Sequence, residues 1–134
     1  MGNTCRSVIA EYLARRRLDP NSVSCESAGL RLVPSEDPRN AIRTLASNFG
    51  IDASGHVPRE IGKVELSRFD IIVAIDTPRE SRVFRFLREK CISNQHLVCW
   101  RIKDPFGDDP SEYDRCALET VRSLQELKAF IASH

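Results

Sequence analysis

The residues Gly2-Asn3-Thr4-Cys5-Arg6-Ser7 carry the side-chain types needed to hold an oxyanion, and they run straight into a helical pattern. Backbone N–H groups in the first turn of a helix have no partners within the helix. They point outward and, with the helix dipole, attract negative charge. Gly2 permits the tight backbone of an amide nest, Arg6 can set two parallel donors on phosphate oxygens, and Ser7 adds a hydroxyl. In isolation, a Gly-Asn turn with an arginine at a helix start is an ordinary structural feature. Asp104-Pro105, taken alone, opens a turn. The five cysteines are Cys5, Cys25, Cys91, Cys99 and Cys116. The count is odd and no CxxC pair exists, so neither a disulfide framework nor a zinc or other metal site is expected. A reducing cytoplasm is the default, with most thiols buried and inert.

The elements that would position these groups alternate along the chain. A helix is expected over about Cys5 to Arg17, with Val8, Ile9, Tyr12 and Leu13 on one face and Asp19-Pro20 as its stop. Val23 to Ala28 reads as a short strand. Asp37-Pro38 opens a helix whose stripe is Ala41, Ile42, Leu45 and Phe49, and Gly50 ends it. Phe69 to Ile75 is apolar and rich in β-branched residues, as in a parallel strand covered on both faces. Thr77-Pro78-Arg79-Glu80 reads as a capping box for a helix that turns Val83, Phe84 and Leu87 inward. His96 to Trp100 is another strand, and Asp109-Pro110 opens a last helix with Ala117, Val121, Leu124 and Ile131 on its stripe. The order α-β-α-β-α-β-α predicts an α/β fold, a parallel sheet with helices on both faces. Such domains usually begin with a strand, because the first right-handed crossover needs one. This chain begins in a loop that leads into a helix.

A length of 134 residues fits one domain, residues 1–134, with one core. Apolar residues make up 41% and charged residues 29%, the composition of an ordinary globular protein. A net charge of +1 gives no electrostatic case for nucleic acid or an acidic membrane surface. No apolar run approaches the roughly 18 residues of a membrane span. The first six residues have no apolar core, so no signal peptide is expected, and Arg6 stands where a myristoylation signal needs Ser or Thr. A cytoplasmic protein without cofactor is expected.

Gly2-Asn3-Thr4-Cys5-Arg6-Ser7 followed by Ala10-Glu11 resembles the tail of the signature C-x-G-N-x-C-R-S-x-x-A-E of low-molecular-weight protein tyrosine phosphatases. The resemblance continues through Ser27-Ala28-Gly29, Asp37-Pro38-Arg39, the run Gly50 to His56, the run Phe69 to Asp76, and Asp104-Pro105-Phe106. Each motif is weak, but they occur in family order over nearly the whole chain. The resemblance implies a flavodoxin-like three-layer sandwich with a parallel sheet in the order 2-1-3-4. It implies hydrolysis of phosphotyrosine or aryl phosphate monoesters through a phosphocysteine, without metal. Arg6 corresponds to the phosphate clamp. Gly2, Asn3, Thr4 and Cys5 correspond to the amide cradle, Asn3 also holding its strained shape, and Ser7 to the hydroxyl that steadies the thiolate. Asp104 corresponds to a general acid on a mobile loop. Phe106 would form one wall of an aromatic slot, and Leu30, Arg31 and Leu32 the other. His56 reads as a structural hydrogen-bonding residue, and Asp76, at the carboxyl edge of the sheet, as a loop brace or N-cap. Substrate partners would be a phosphotyrosine protein or a small aryl phosphate, with phosphate or sulfate as simple anions.

The family nucleophile lies six residues before the clamp arginine, which here is the position immediately before Met1. The residues preceding it in the family form a central strand. The expectation is therefore a chain lacking both nucleophile and first strand, inactive as it stands. The lost burial, at roughly 1.5–3 kcal/mol per large aliphatic side chain, approaches the whole stability of a domain. Two exposed strand edges would also favour homodimers by association or strand exchange. A misassigned or truncated start is one explanation. A shortened, non-catalytic anion-binding or interaction protein is another. Arsenate reduction on the same fold, with Cys91 and Cys99 as a redox pair, is the third.

Overall fold

The computed structural model describes residues 3, 5–33, 36–75, 81–91, 94–105, 107 and 109–133. Six regular elements follow in order: α1 (Arg6–Arg17), α2 (Arg39–Phe49), β1 (Ile71–Ile75), α3 (Arg82–Lys90), β2 (His96–Trp100) and α4 (Pro110–Ala132). Two short 3₁₀ turns, Ile61–Lys63 and Leu66–Arg68, lead into β1.

Local chemistry sets most boundaries. The Asp109 carboxylate accepts from the Ser111 amide at 3.0 Å, and Pro110 occupies the first turn of α4, where a missing N–H costs nothing. At α2 the Asp37 carboxylate accepts from the Arg39 amide at 2.9 Å, but the N-cap position falls on Pro38, one residue later than expected, and the regular helix starts at Arg39. Gly50 closes α2 at φ 64°, a left-handed conformation that glycine adopts without a Cβ clash. The proposed box at residues 77–80 lies outside the described residues. The cap at the start of α3 is Ser81, whose hydroxyl accepts from the Phe84 amide at 3.0 Å.

β1 and β2 pair in parallel, Ile71 opposite His96 through Ile75 opposite Trp100. Alternation along the strands divides the apolar residues between two layers. Val73, Ile75, Val98 and Trp100 face a large core shared with α1, α2 and α4, which contains the fully buried Ile9, Leu13 and Leu45. Ile72, Ala74 and Leu97 face a smaller cluster with α3. There Phe86, not the expected Phe84, packs inward. Phe84 lies beside the Arg88 guanidinium, 5.8 Å from ring centroid to guanidinium carbon.

The expected strand at Val23–Ala28 needs correction. The segment lies between α1 and the 59–68 region, but no ladder forms along it. Its one neighbouring bridge pairs Gly29 with Glu60. Strand classification requires an adjacent backbone, and among the described residues none lies beside 24–28. The layered α/β architecture stands, with a two-stranded sheet among the described residues. No described helix is long and apolar enough to cross a membrane.

Candidate active site

Asn3 is the structural centre of the opening loop. It is 1% exposed and takes φ 62°, a left-handed conformation unusual for a residue with a side chain. Its amide nitrogen donates to the hydroxyls of Ser7 at 2.9 Å and Ser27 at 2.8 Å. Its side-chain oxygen accepts from the Arg59 amide at 3.0 Å. Its backbone oxygen lies 3.1 Å from His56 Nε2, which must donate because a carbonyl can only accept. Ser7 and His56, both singled out in the sequence, thus meet around Asn3.

Arg6 begins α1 at the carboxyl edge of the sheet. One terminal nitrogen donates to the Ile102 carbonyl at 2.9 Å, just past the end of β2. Its Nε lies 3.3 Å from an Asp104 carboxylate oxygen. The arginine side chain is 15% exposed and the aspartate 61%, so the clamp is anchored while the carboxylate sits at the solvent mouth. Cys5, at the N-cap position, makes no side-chain capping bond, and no acidic residue occupies the first turn of α1. An anion approaching there meets helix amides without a competing intrahelical carboxylate.

Cys5 lines the same cavity as Arg6 and Asp104. Its thiol hydrogen-bonds with Tyr113, and burial pushes its pKa up to about 11 despite that bond. Burial, with the nearby Cys5 as a further cause, raises the Tyr113 phenol to about 12. Cys116, beneath them and fully buried, is pushed to about 12 mainly by desolvation. These are protonated thiols at neutral pH, poor nucleophiles by the thiolate criterion.

Arg6, Asp104, Leu30 and Arg31 line one cavity of about 1590 Å³. Leu32, expected beside them, is 48% exposed. Gly2, Thr4, Asp76 and Phe106 lie outside the described residues.

Four participants carried no role in the sequence reading. Glu11 is 5% exposed, forms an ion pair with Arg15 one turn on, accepts from the Ser27 hydroxyl, and lies 4.0 Å from His56 Nδ1. Its signal was a carboxylate three residues after Val8, on the apolar stripe of α1. Ser27 joins Glu11 to Asn3. Arg59 contributes its backbone amide to Asn3, and Tyr113 holds the Cys5 thiol. Neither of the latter two interactions has a local sequence signature.

Residues 1–133 match the family model described as low molecular weight phosphotyrosine protein phosphatase. The low molecular weight protein-tyrosine-phosphatase Etp of Escherichia coli is 26% identical over 129 residues, covering 93% of this chain and 86% of the relative. The corresponding phosphatase Ptp of Acinetobacter johnsonii is 24% identical, covering 88% and 84%. Among solved structures, an arsenate reductase from Archaeoglobus fulgidus superposes with a TM-score of 0.77 at 29% identity, covering 96% of this chain and 94% of that one.

Proposed function

Since the chain belongs to the low molecular weight phosphotyrosine protein phosphatase family, we propose that its opening loop serves the hydrolysis of phosphotyrosine or other aryl phosphate monoesters, and that the 134 residues alone hold the oxyanion without turning it over. The observation carrying this reading is the pairing of Arg6 with Asp104 at one mouth while the adjacent Cys5 thiol faces Tyr113.

In this proposal the thiolate belongs to a cysteine six residues before Arg6, the position immediately preceding Met1. Its sulfur attacks phosphorus, the ester P–O bond breaks, and the Asp104 carboxyl gives its proton to the departing phenol oxygen. Asp104 then takes a proton from water. The water oxygen attacks phosphorus, the P–S bond breaks, and inorganic phosphate and the thiolate are released. Arg6 and the α1 amides stabilise charge on the phosphoryl oxygens throughout. A bound phosphoryl dianion competes with the Asp104 carboxylate for the guanidinium, which separates clamp from acid when the site fills. Asn3 positions the loop, Ser7 steadies the thiolate, and His56 braces the Asn3 carbonyl. Leu30 and Arg31, with Leu32, Phe106, Asp76, Gly2 and Thr4, complete the site in the family pattern. A cytoplasmic setting suits five unpaired thiols.

Arsenate shares the tetrahedral oxyanion shape of phosphate, but its reduction takes two electrons from thiols. Neither Cys91 nor Cys99 is among the described residues lining the cavity that holds Arg6. The phosphatase reading is therefore preferred.

The test compares the 134-residue chain with one carrying an apolar strand and a cysteine joined directly before Met1. The shorter chain is expected to bind inorganic phosphate by calorimetry and leave p-nitrophenyl phosphate intact. The longer chain is expected to hydrolyse it, with kcat reduced on the order of 10²–10⁴-fold in Asp104→Asn. Robust hydrolysis by the shorter chain, abolished in Asp104→Ala, would overturn the assignment.

A further inference from the structure

The Asp104 side chain is 61% exposed, and among the described residues its carboxylate pairs with Arg6 at 3.3 Å. A phosphoryl dianion that engages the Arg6 guanidinium displaces that contact. A general acid must keep its place through that exchange, because a proton is handed over only within hydrogen-bond reach of the leaving oxygen. The support has to come from the main chain that carries Asp104.

Two successive carbonyls ahead of Asp104 accept from guanidinium groups. Arg6 donates to the Ile102 carbonyl at 2.9 Å, and Arg115 Nη2 donates to the Lys103 carbonyl at 3.0 Å. The second bond is the more direct hold. The Lys103 carbonyl and the Asp104 amide nitrogen belong to one planar peptide group, so fixing that oxygen fixes the plane from which the aspartate departs. The bond joins residues 12 positions apart and ties the stretch bearing Asp104 to the helix that follows it, α4.

Arg115 is itself held before it reaches the loop. Its Nη1 lies 3.0 Å from a Glu119 carboxylate oxygen, and its Nε lies 3.4 Å from Glu112. These glutamates stand four residues after it and three before it, on the same face of α4. Ion pairs along a helix surface account for that triad. They do not account for the bond that leaves the helix and ends on the residue preceding Asp104. Tyr113 lines the cavity, whereas Arg115 is not among the described residues that do. Its influence on the reaction therefore passes through Asp104.

We propose that Arg115 is the positioning residue of the general acid. Braced between Glu112 and Glu119, its guanidinium clamps the Lys103–Asp104 peptide plane and keeps the carboxyl group at the leaving-group side when Arg6 turns to the phosphoryl oxygens. Arg115 itself transfers no proton. The role rests on the phosphatase reading of Asp104.

The test uses the chain carrying an apolar strand and a cysteine before Met1, with two esters that differ in their need for a proton. Arg115→Ala is expected to lower kcat/KM for phenyl phosphate on the order of tenfold. Dinitrophenyl phosphate, whose phenolate departs unprotonated, should be cleaved nearly as before. Arg115→Lys, which keeps a donor for the carbonyl, should recover most of the loss, and inhibition by inorganic phosphate should be the same in all three proteins. Glu119→Gln loosens the brace without touching the arginine and should give a smaller loss with the same substrate dependence. In an Asp104→Asn background Arg115→Ala should cost nothing further, since both changes act on one proton transfer. Equal losses on both esters, or a loss that adds to that of Asp104→Asn, would overturn the proposal. Hydrolysis that depends on Asp104 but ignores Arg115→Ala would remove the positioning role alone. No hydrolysis by the parent, or none of its rate lost in Asp104→Asn, would remove the general acid and the positioning role together.

Discussion

The layer formed by α1, α2 and α4 and the sheet beside it satisfy their backbones in different ways. Each helix pairs its own N–H and C=O groups along its length, and the three gather a core around Ile9, Leu13 and Leu45 to which the sheet adds Val73, Ile75, Val98 and Trp100. β1 depends on neighbours that the chain must bring from elsewhere, and among the described residues it has one on one edge. A closed core and a two-stranded sheet thus coexist among the described residues. A helix satisfies its backbone internally, whereas a strand depends on what lies alongside it.

The largest effect that sharpens this contrast comes from truncating the two sides. Leu45→Ala, in the closed core, is expected to cost about 3 kcal/mol in urea unfolding, within the usual range for fully buried leucines. Leu97→Ala, in the smaller α3-side cluster, should cost about half as much, because Leu97 is only partly buried there. Equal losses would break the contrast.

Next comes alkaline pH. Cys5 and Cys116 both belong to the closed side, and burial raises them from 9.0 to about 11 and about 12. A raised pKa keeps the folded thiol protonated after the unfolded thiol has lost its proton. The stabilising contribution is whole below pH 9 and falls as pH rises toward the folded values. Stability is therefore expected to fall as pH rises from 9 to 11, with Tyr113, raised from 10.0 to about 12, adding to the loss above pH 10. Cys116→Ala should make that slope shallower. A flat pH profile would show that the closed side admits solvent to its thiols.

The smallest effect belongs to α3. Ser81→Ala removes its cap and is expected to cost about 1 kcal/mol. Because α3 packs mainly on the open sheet, the loss should appear as faster amide exchange within α3, leaving α1 and α4 unchanged.

Signals confined to a few neighbouring residues were readable from the chain. Gly50 stops α2, Asp109-Pro110 starts α4, and the apolar run at His96–Trp100 forms β2, each where its local chemistry implies. The α/β layering followed from the same periodicities. Val23–Ala28 was misread because strand character is decided by what lies alongside, which its own composition does not contain. Phe84 and Phe86 are two residues apart on a short helix, and only the position of the sheet selects Phe86. At the site, motif order brought attention to Arg6, Asp104, Asn3 and His56. The Glu11–Ser27 contact and the Cys5–Tyr113 bond join distant segments and left no pattern to read.

The ties of Asn3 set an order of events in folding. Its partners Ser27, His56 and Arg59 lie 24, 53 and 56 positions further along the chain. Contacts of such sequence separation must first overcome the entropy of closing long loops, and they form more slowly than a helical turn. α1 can therefore coil before the loop at its start is shaped. The loop of the proposed anion site therefore takes shape only after roughly the first sixty residues have assembled, and the Arg6 anchor at Ile102 lies 96 positions on, so phosphate binding should lag helicity when refolding is followed in time.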